Sequence, residues 1–193
     1  MPTPIRIVRS RIVVLPARDV DTDQIIPARF LTTTERDGFG GALFADWRFD
    51  AAGQPRPEFA LNRPAAQGAQ ILVAGPNFGC GSSREHAAWA LRDFGFRAVV
   101  SSSFADIFRS NALKNGLLPV QVDAPILDWL NANPGVEVTI DLEARELGLP
   151  DGSSVAFPIE PFARYRLLHG IDELDFLLAR SGAIEAFERS RVE

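Results

Sequence analysis

The chain has 193 residues, 46% hydrophobic and 23% charged, with a formal net charge of −5. That is enough for one globular domain with a substantial core, and the acidic balance excludes the basic face that nucleic-acid binding requires. No apolar run approaches the roughly 20 residues that span a bilayer, the N-terminus has no secretory h-region, and a single cysteine excludes an internal disulfide, which together fit a cytoplasmic protein.

Ile5 and Ile7, then Ile12-Val13-Val14-Leu15, predict an N-terminal strand or hairpin with a polar interruption at Arg9-Ser10-Arg11. From Asp19 to Leu31 the chain leaves regular structure. Asp21, Thr22 and Asp23 favour turns and caps, and Pro27 holds Ile26 extended. The polar, glycine-rich stretch Thr32 to Gly41 reads as a mobile flap. Ala42 to Phe49 follows as a short amphipathic helix. Asp50 to Ala66, with Pro55, Pro57 and Pro64, is an irregular connection.

Ala69 to Ala74 is a short run, apolar except at Gln70, that reads as a buried strand. Residues 87–94 carry apolar side chains at helical spacing, with Gly95 as a stop. Between them runs Gly75-Pro76-Asn77-Phe78-Gly79-Cys80-Gly81-Ser82-Ser83-Arg84-Glu85-His86, a glycine-rich strand-to-helix turn. Its glycines allow close approach of a ligand to the backbone, and a helix N-terminus attracts anions. Ser82 and Glu85 stand at capping-box spacing. Two hydroxyls and a guanidinium are thus presented where an anion would be held, although a purely structural turn would use the same residues. The turn has no Gly-Lys-Ser/Thr, no Gly-x-Gly-x-x-Gly and no Gly-x-Ser-x-Gly, so nucleotide binding and hydrolase chemistry lack their usual signatures.

Arg97 to Ser101 predicts a second buried strand, and Ser103 is read as the cap of a helix running to Asn115, with Phe104, Ile107, Phe108 and Leu113 in the core. Leu117 to Val122 is a third strand. Strand–helix–strand–helix–strand at these lengths predicts a parallel sheet. Ala124 to Leu130 is a short helix before Asn133-Pro134-Gly135. Val136, Val138 and Ile140 alternate, and Pro150-Asp151-Gly152 joins two further strands as a hairpin. Helices follow over 162–168, 172–179 and 183–191.

Residues 77–86 resemble the signature of the swivelling domain of the aconitase superfamily, and most closely the stand-alone small subunits of 3-isopropylmalate dehydratase. Asp21-Thr22-Asp23-Gln24-Ile25-Ile26-Pro27-Ala28-Arg29-Phe30-Leu31 is similar to the N-terminal substrate segment of that family. Ser103-Phe104-Ala105-Asp106-Ile107-Phe108, with Asn111 and Asn115 to Val120, is similar to its second helix and following strand. The resemblance spans nearly the whole chain in the same order. It implies a single α/β domain over 1–193 of the swivelling β/β/α three-layer kind, with a largely parallel central sheet and a helical extension over 158–193.

The resemblance also implies a heteromeric hydro-lyase that interconverts 2- and 3-isopropylmalate by dehydration and rehydration in leucine biosynthesis, active only with a large subunit. Ser82 matches the family's catalytic base. Ser83 and Arg84 match substrate-binding positions, Asp23 orients a substrate-binding arginine, and Arg29, Leu31 and Thr32 belong to the loop over the substrate's variable group. The superfamily uses a [4Fe–4S] cluster as Lewis acid. With Cys80 as the one cysteine and His86 and His169 as the only histidines, this chain lacks the thiolates for such a cluster or the donors for a zinc site. The cluster is therefore expected on the large subunit, with no cofactor or metal bound here, and Cys80 is read as an apolar filler. Sister enzymes acting on citramalate, dimethylmalate or homocitrate, and a non-catalytic anion-binding module, remain alternatives.

Overall fold

In the computed structural model, which describes residues 3–31 and 38–191, strand β1 (Ile7–Leu15) runs unbroken for nine residues instead of forming a hairpin. The polar triplet does not interrupt it because the alternation of faces continues through it. Ser10 turns inward, where its hydroxyl accepts from the Gln70 N–H at 2.9 Å and donates to the Arg11 carbonyl at 2.8 Å. Arg9 and Arg11 face outward, and Arg9 pairs with Glu137 across the sheet.

β1 joins two half-sheets. Residues 12–15 pair in parallel with β2 (Ile71–Ala74), followed outward by β3 (Ala98–Ser101) and β4 (Leu118–Gln121), both parallel. Residues 7–11 pair antiparallel with β5 (Glu137–Asp141), beyond which lie β6 (Glu146–Gly148) and β7 (Ser154–Ala156). The order is β4-β3-β2-β1-β5-β6-β7. The α/β class stands, and the sheet is mixed: the expected parallel arrangement occupies four strands and the remainder is antiparallel.

Two short helices precede β2, α1 (Thr22–Ile25) and α2 (Ala45–Arg48), the latter within the predicted 42–49 helix. Helix α3 (Glu85–Phe94) links β2 to β3, and α4 (Asp106–Lys114) links β3 to β4. They cover one face of the parallel half. Leu72, Ala74 and Val99 meet Ala87, Leu91, Phe108 and Ala112 there. The other face gathers Ile71, Val73, Val100 and Val120 with Val138, Ile140 and Leu147 of the antiparallel half, Leu127 and Leu130 of α5 (Ala124–Ala132), and Leu167 of α6 (Pro161–His169). This is the helix, sheet, sheet layering the resemblance implies. Each fully buried aliphatic side chain contributes about 1.5–3 kcal/mol.

Within the expected extension over 158–193, α6 buries Leu167 and Leu168 in the core, whereas α7 (Glu173–Leu178) and the described side chains of α8 (Ser181–Ser190) are not buried. Ile107, read as core, is exposed because it lies on the outer side of α4. Among the described residues no helix is long and apolar enough to cross a membrane.

Candidate active site

The loop from β2 to α3 is clamped on both flanks by main-chain bonds. On one side the Gly79 and Cys80 N–H groups donate to the Val20 carbonyl, and the Thr22 N–H donates to the Cys80 carbonyl at 2.9 Å. On the other side the Phe78 N–H donates to the Ser103 carbonyl and the Ala105 N–H to the Phe78 carbonyl. Asn77, at φ 59°, adds a side-chain donor to Asp19 Oδ1 and gives its own N–H to Ser103 Oγ, each at 2.8 Å. Ser103 therefore holds the loop and does not cap α4, whose N-cap position belongs to Ala105.

Two of the loop glycines answer to the protein, not to a ligand. A Cβ on Gly75 would lie 2.2 Å from the Ala17 carbonyl oxygen. One on Gly79, at φ +78°, would lie 2.2 Å from Phe108 Cγ. Close packing of strand, loop and helix requires both. The predicted Ser82–Glu85 capping box is also absent: α3 starts at Glu85 with Arg84 in extended conformation at the N-cap and no side-chain cap bond. The reciprocal box is instead at α1, where Asp21 Oδ1 accepts from the Gln24 N–H and Gln24 Oε1 accepts from the Asp21 N–H. Leaving the start of α3 without a side-chain cap keeps its positive end open to an outside anion.

Four of the seven predicted site residues come together. Arg84 donates to Asp23 Oδ1 in an ion pair in which the guanidinium is largely enclosed, 18% exposed against 51% for the carboxylate. Ser82 and Ser83 are exposed just before it, and among the described residues neither hydroxyl has a hydrogen-bond partner. Sequence reasoning missed Thr22 as part of this group. It is 2% exposed, and its hydroxyl donates to the Ser82 carbonyl at 2.9 Å. A threonine between two aspartates in a turn reads as a local cap, so nothing in the sequence signals a contact sixty residues away.

The loop residues fall elsewhere. Arg29 pairs with Asp46 at 2.5 Å and lies over the Phe30 ring, 4.6 Å from its centroid. The hydrogen bond to Arg29 holds the Asp46 carboxyl below its usual value, and the same bond raises Arg29. Both line a groove of about 690 Å³ with Phe49 and Arg56, and no ion pair or hydrogen bond among the described residues joins Arg29 to the Ser82–Arg84 group. Leu31 is half-buried against the core, and Thr32 lies outside the described residues. The end of the expected flap is fastened to α3. Phe39 is buried edge-on to His86 at 5.2 Å, and the Gly40 N–H donates to Asp93 Oδ2 at 2.7 Å. Residues 32–37 of that flap are outside the described residues.

Two family models divide the chain. The aconitase C-terminal domain matches residues 8–125, and the LeuD_N model matches 124–161. The chain is 62% identical over 188 residues to the 3-isopropylmalate dehydratase small subunit of Anaeromyxobacter sp. (strain K), covering 97% of this chain and 98% of that one. This chain belongs to the 3-isopropylmalate dehydratase small-subunit family. Small subunits so named from Roseiflexus sp. (strain RS-1) and Chloroflexus aurantiacus are 58% and 56% identical, each over 97% of the chain and 94% and 95% of the relative. The crystal structure of a 3-isopropylmalate dehydratase chain from Methanocaldococcus jannaschii matches with a TM-score of 0.67 at 29% identity, over 94% of this chain and 99% of that one.

Cys80, the one cysteine of the chain, is poorly set to be a cluster ligand. The Cys80 thiol donates to the Asp19 carbonyl at 3.2 Å, and burial together with the negative charges of Asp21 and Asp19 pushes its pKa up, away from the thiolate a cluster needs. Among the described residues no three His, Cys, Asp or Glu side chains gather to hold a metal ion.

Proposed function

We propose that this chain is the substrate-closing half of a two-subunit hydro-lyase that interconverts 2- and 3-isopropylmalate in leucine biosynthesis in the cytoplasm. The observation that carries this reading is the exposed Ser82–Ser83 pair beside Arg84, itself held by Asp23, at the uncapped start of α3. The reading is supported by full-length relatives that carry the dehydratase name.

In this mechanism Arg84 binds a substrate carboxylate with the guanidinium donors that Asp23 does not take. A planar fork suits that task, and its enclosure strengthens the pair. Asp23 fixes the guanidinium edge so that the remaining donors point outward. Ser83 adds a hydroxyl to the carboxylate. Ser82 removes the proton from the carbon next to a carboxylate, and returns it in the reverse direction. Such a carbon is weakly acidic, so the base must be an alkoxide, stabilised by the N-terminal end of α3 and the nearby Arg84 charge. The negative charge that builds on the substrate carboxylate is met by the same guanidinium. Contact with the branched alkyl group is the role that the resemblance alone gives Arg29, Leu31 and Thr32. A [4Fe–4S] cluster, which supplies Lewis-acid chemistry for the departing hydroxyl, belongs in this proposal to a large subunit, because the donors here do not suit one.

The test is absorbance of the unsaturated intermediate formed from 2-isopropylmalate by the complex co-expressed anaerobically with its large subunit. Activity that requires both chains and falls by several powers of ten in Ser82→Ala is the expected result. Activity that survives the substitution overturns the role of Ser82.

A further inference from the structure

The start of α1 reaches across to the catalytic loop at three successive points. Asp21 forms a parallel bridge with Cys80. Thr22 donates to the carbonyls on either side of Gly81, its N–H to that of Cys80 and its hydroxyl to that of Ser82, each at 2.9 Å. Asp23 then takes Arg84. Of the residues in this group, Ser82 is exposed, and the Thr22 hydroxyl is the one side chain among the described residues that bonds to it. Thr22 itself is 2% exposed, so its rotamer is fixed by packing.

We propose that Thr22 is the positioning residue for the base, setting the direction of the Ser82 side chain by locking its carbonyl. The inference rests on the reading of Ser82 as base and deepens it. An exposed serine that follows a glycine has few constraints of its own. With the Cys80 and Ser82 carbonyls both held by Thr22, the backbone on either side of Gly81 is restrained and the Ser82 Cα–Cβ bond is held in direction. Because Asp23 is the next residue, the same helix start holds the Ser82 Cα–Cβ bond, which carries the proton-abstracting oxygen, and the carboxylate-binding guanidinium in one frame. A misplacement of about 1 Å in such a pair costs on the order of 10²-fold in rate.

The experiment compares Thr22→Val and Thr22→Ser, alone and in a Ser82→Ala background, in the complex with the large subunit. Thr22→Val keeps the branched shape and loses the donor; Thr22→Ser keeps the donor. The expected result is a ten- to hundred-fold fall in kcat for Thr22→Val with KM changed less than threefold, recovery to within a few-fold in Thr22→Ser, and no further loss when Thr22→Val is added to Ser82→Ala. Full activity in Thr22→Val, beside a collapse in Ser82→Ala, overturns the positioning role and leaves the base in place. Equal losses from Thr22→Val in both backgrounds reduce Thr22 to a general structural residue and also overturn it. Full activity in Ser82→Ala removes the base, and the positioning role with it.

Discussion

Gly79→Ala is the sharpest probe of how the loop is built. The new methyl carbon would stand 2.2 Å from Phe108 Cγ and 2.5 Å from its Cβ, on a backbone at φ +78°. Phe108 is 1% exposed and packed edge-on against Phe78 at 5.2 Å, so its ring has no free space to enter. Left-handed backbone costs a non-glycine residue about 1–2 kcal/mol, and overpacking a tight core adds roughly 1–3 kcal/mol. Together they remove about 2–5 kcal/mol from a stability that for a domain of this size is typically about 5–15 kcal/mol. Urea unfolding followed by circular dichroism measures the change directly. Trimming the ring by Phe108→Leu in the same chain should return part of the loss, since the two sites share one clash. A cost under about 0.5 kcal/mol, within the range of surface substitutions, or strict additivity of the two substitutions, would refute the packing argument. The loop would then be tolerant, and the glycine would have to be explained by a ligand after all.

Two further outcomes follow from the site. Arg84→Lys keeps the charge but cannot take Asp23 and a substrate carboxylate through one planar fork, so kcat/KM of the assembled enzyme should fall by about 10²-fold or more, with Tm little moved. Steady-state kinetics beside a thermal melt decide it, and near-normal kinetics would sink the bidentate role. Cys80, whose thiol is pushed above its ordinary value by burial and two aspartates, should react with iodoacetamide at pH 8 far more slowly than a free cysteine, and faster as pH rises above 9. Mass spectrometry of the alkylated chain reads this, and free-thiol rates at pH 8 would contradict the setting described.

What was legible in the sequence was whatever rests on local pattern. The largely apolar stretches at 69–74, 97–101 and 117–122 announced the buried parallel strands Ile71–Ala74, Ala98–Ser101 and Leu118–Gln121, and Pro150-Asp151-Gly152 announced its hairpin. That Asp23 would hold an arginine was legible through family resemblance, and its partner is Arg84. The failures are tertiary overrides. Ser10 looked like a break because a buried serine hydroxyl needs partners, and those partners, the Gln70 N–H and the Arg11 carbonyl, come partly from a distant strand. Ser103 had the chemistry of a cap, yet its oxygens are engaged by Asn77 and Phe78, 26 and 25 residues earlier. Ser82 and Glu85 had capping-box spacing, and the loop's own clamps moved the start of α3 past the serine. Phe39 and Gly40 looked mobile by composition until α3 supplied a surface for them.

The two-partner strand β1 gives the order of synthesis a meaning. Every residue assembled around Ser82 lies before position 122, and the run β1-β2-β3-β4, in which β1 pairs with β2, β2 with β3 and β3 with β4, needs nothing later to form. A ribosome that has released that much chain has released every part of the loop proposed to carry the chemistry. The opposite face of the same four strands, with Ile71, Val73, Val100 and Val120, packs among the described residues largely against α5, β5, β6 and α6, which are still unmade. The nascent chain therefore passes through a stage in which the Ser82 loop has all its clamps while the opposite face of the sheet is largely bare, and that bare sheet is where a holding chaperone would be needed until residues 124–168 arrive.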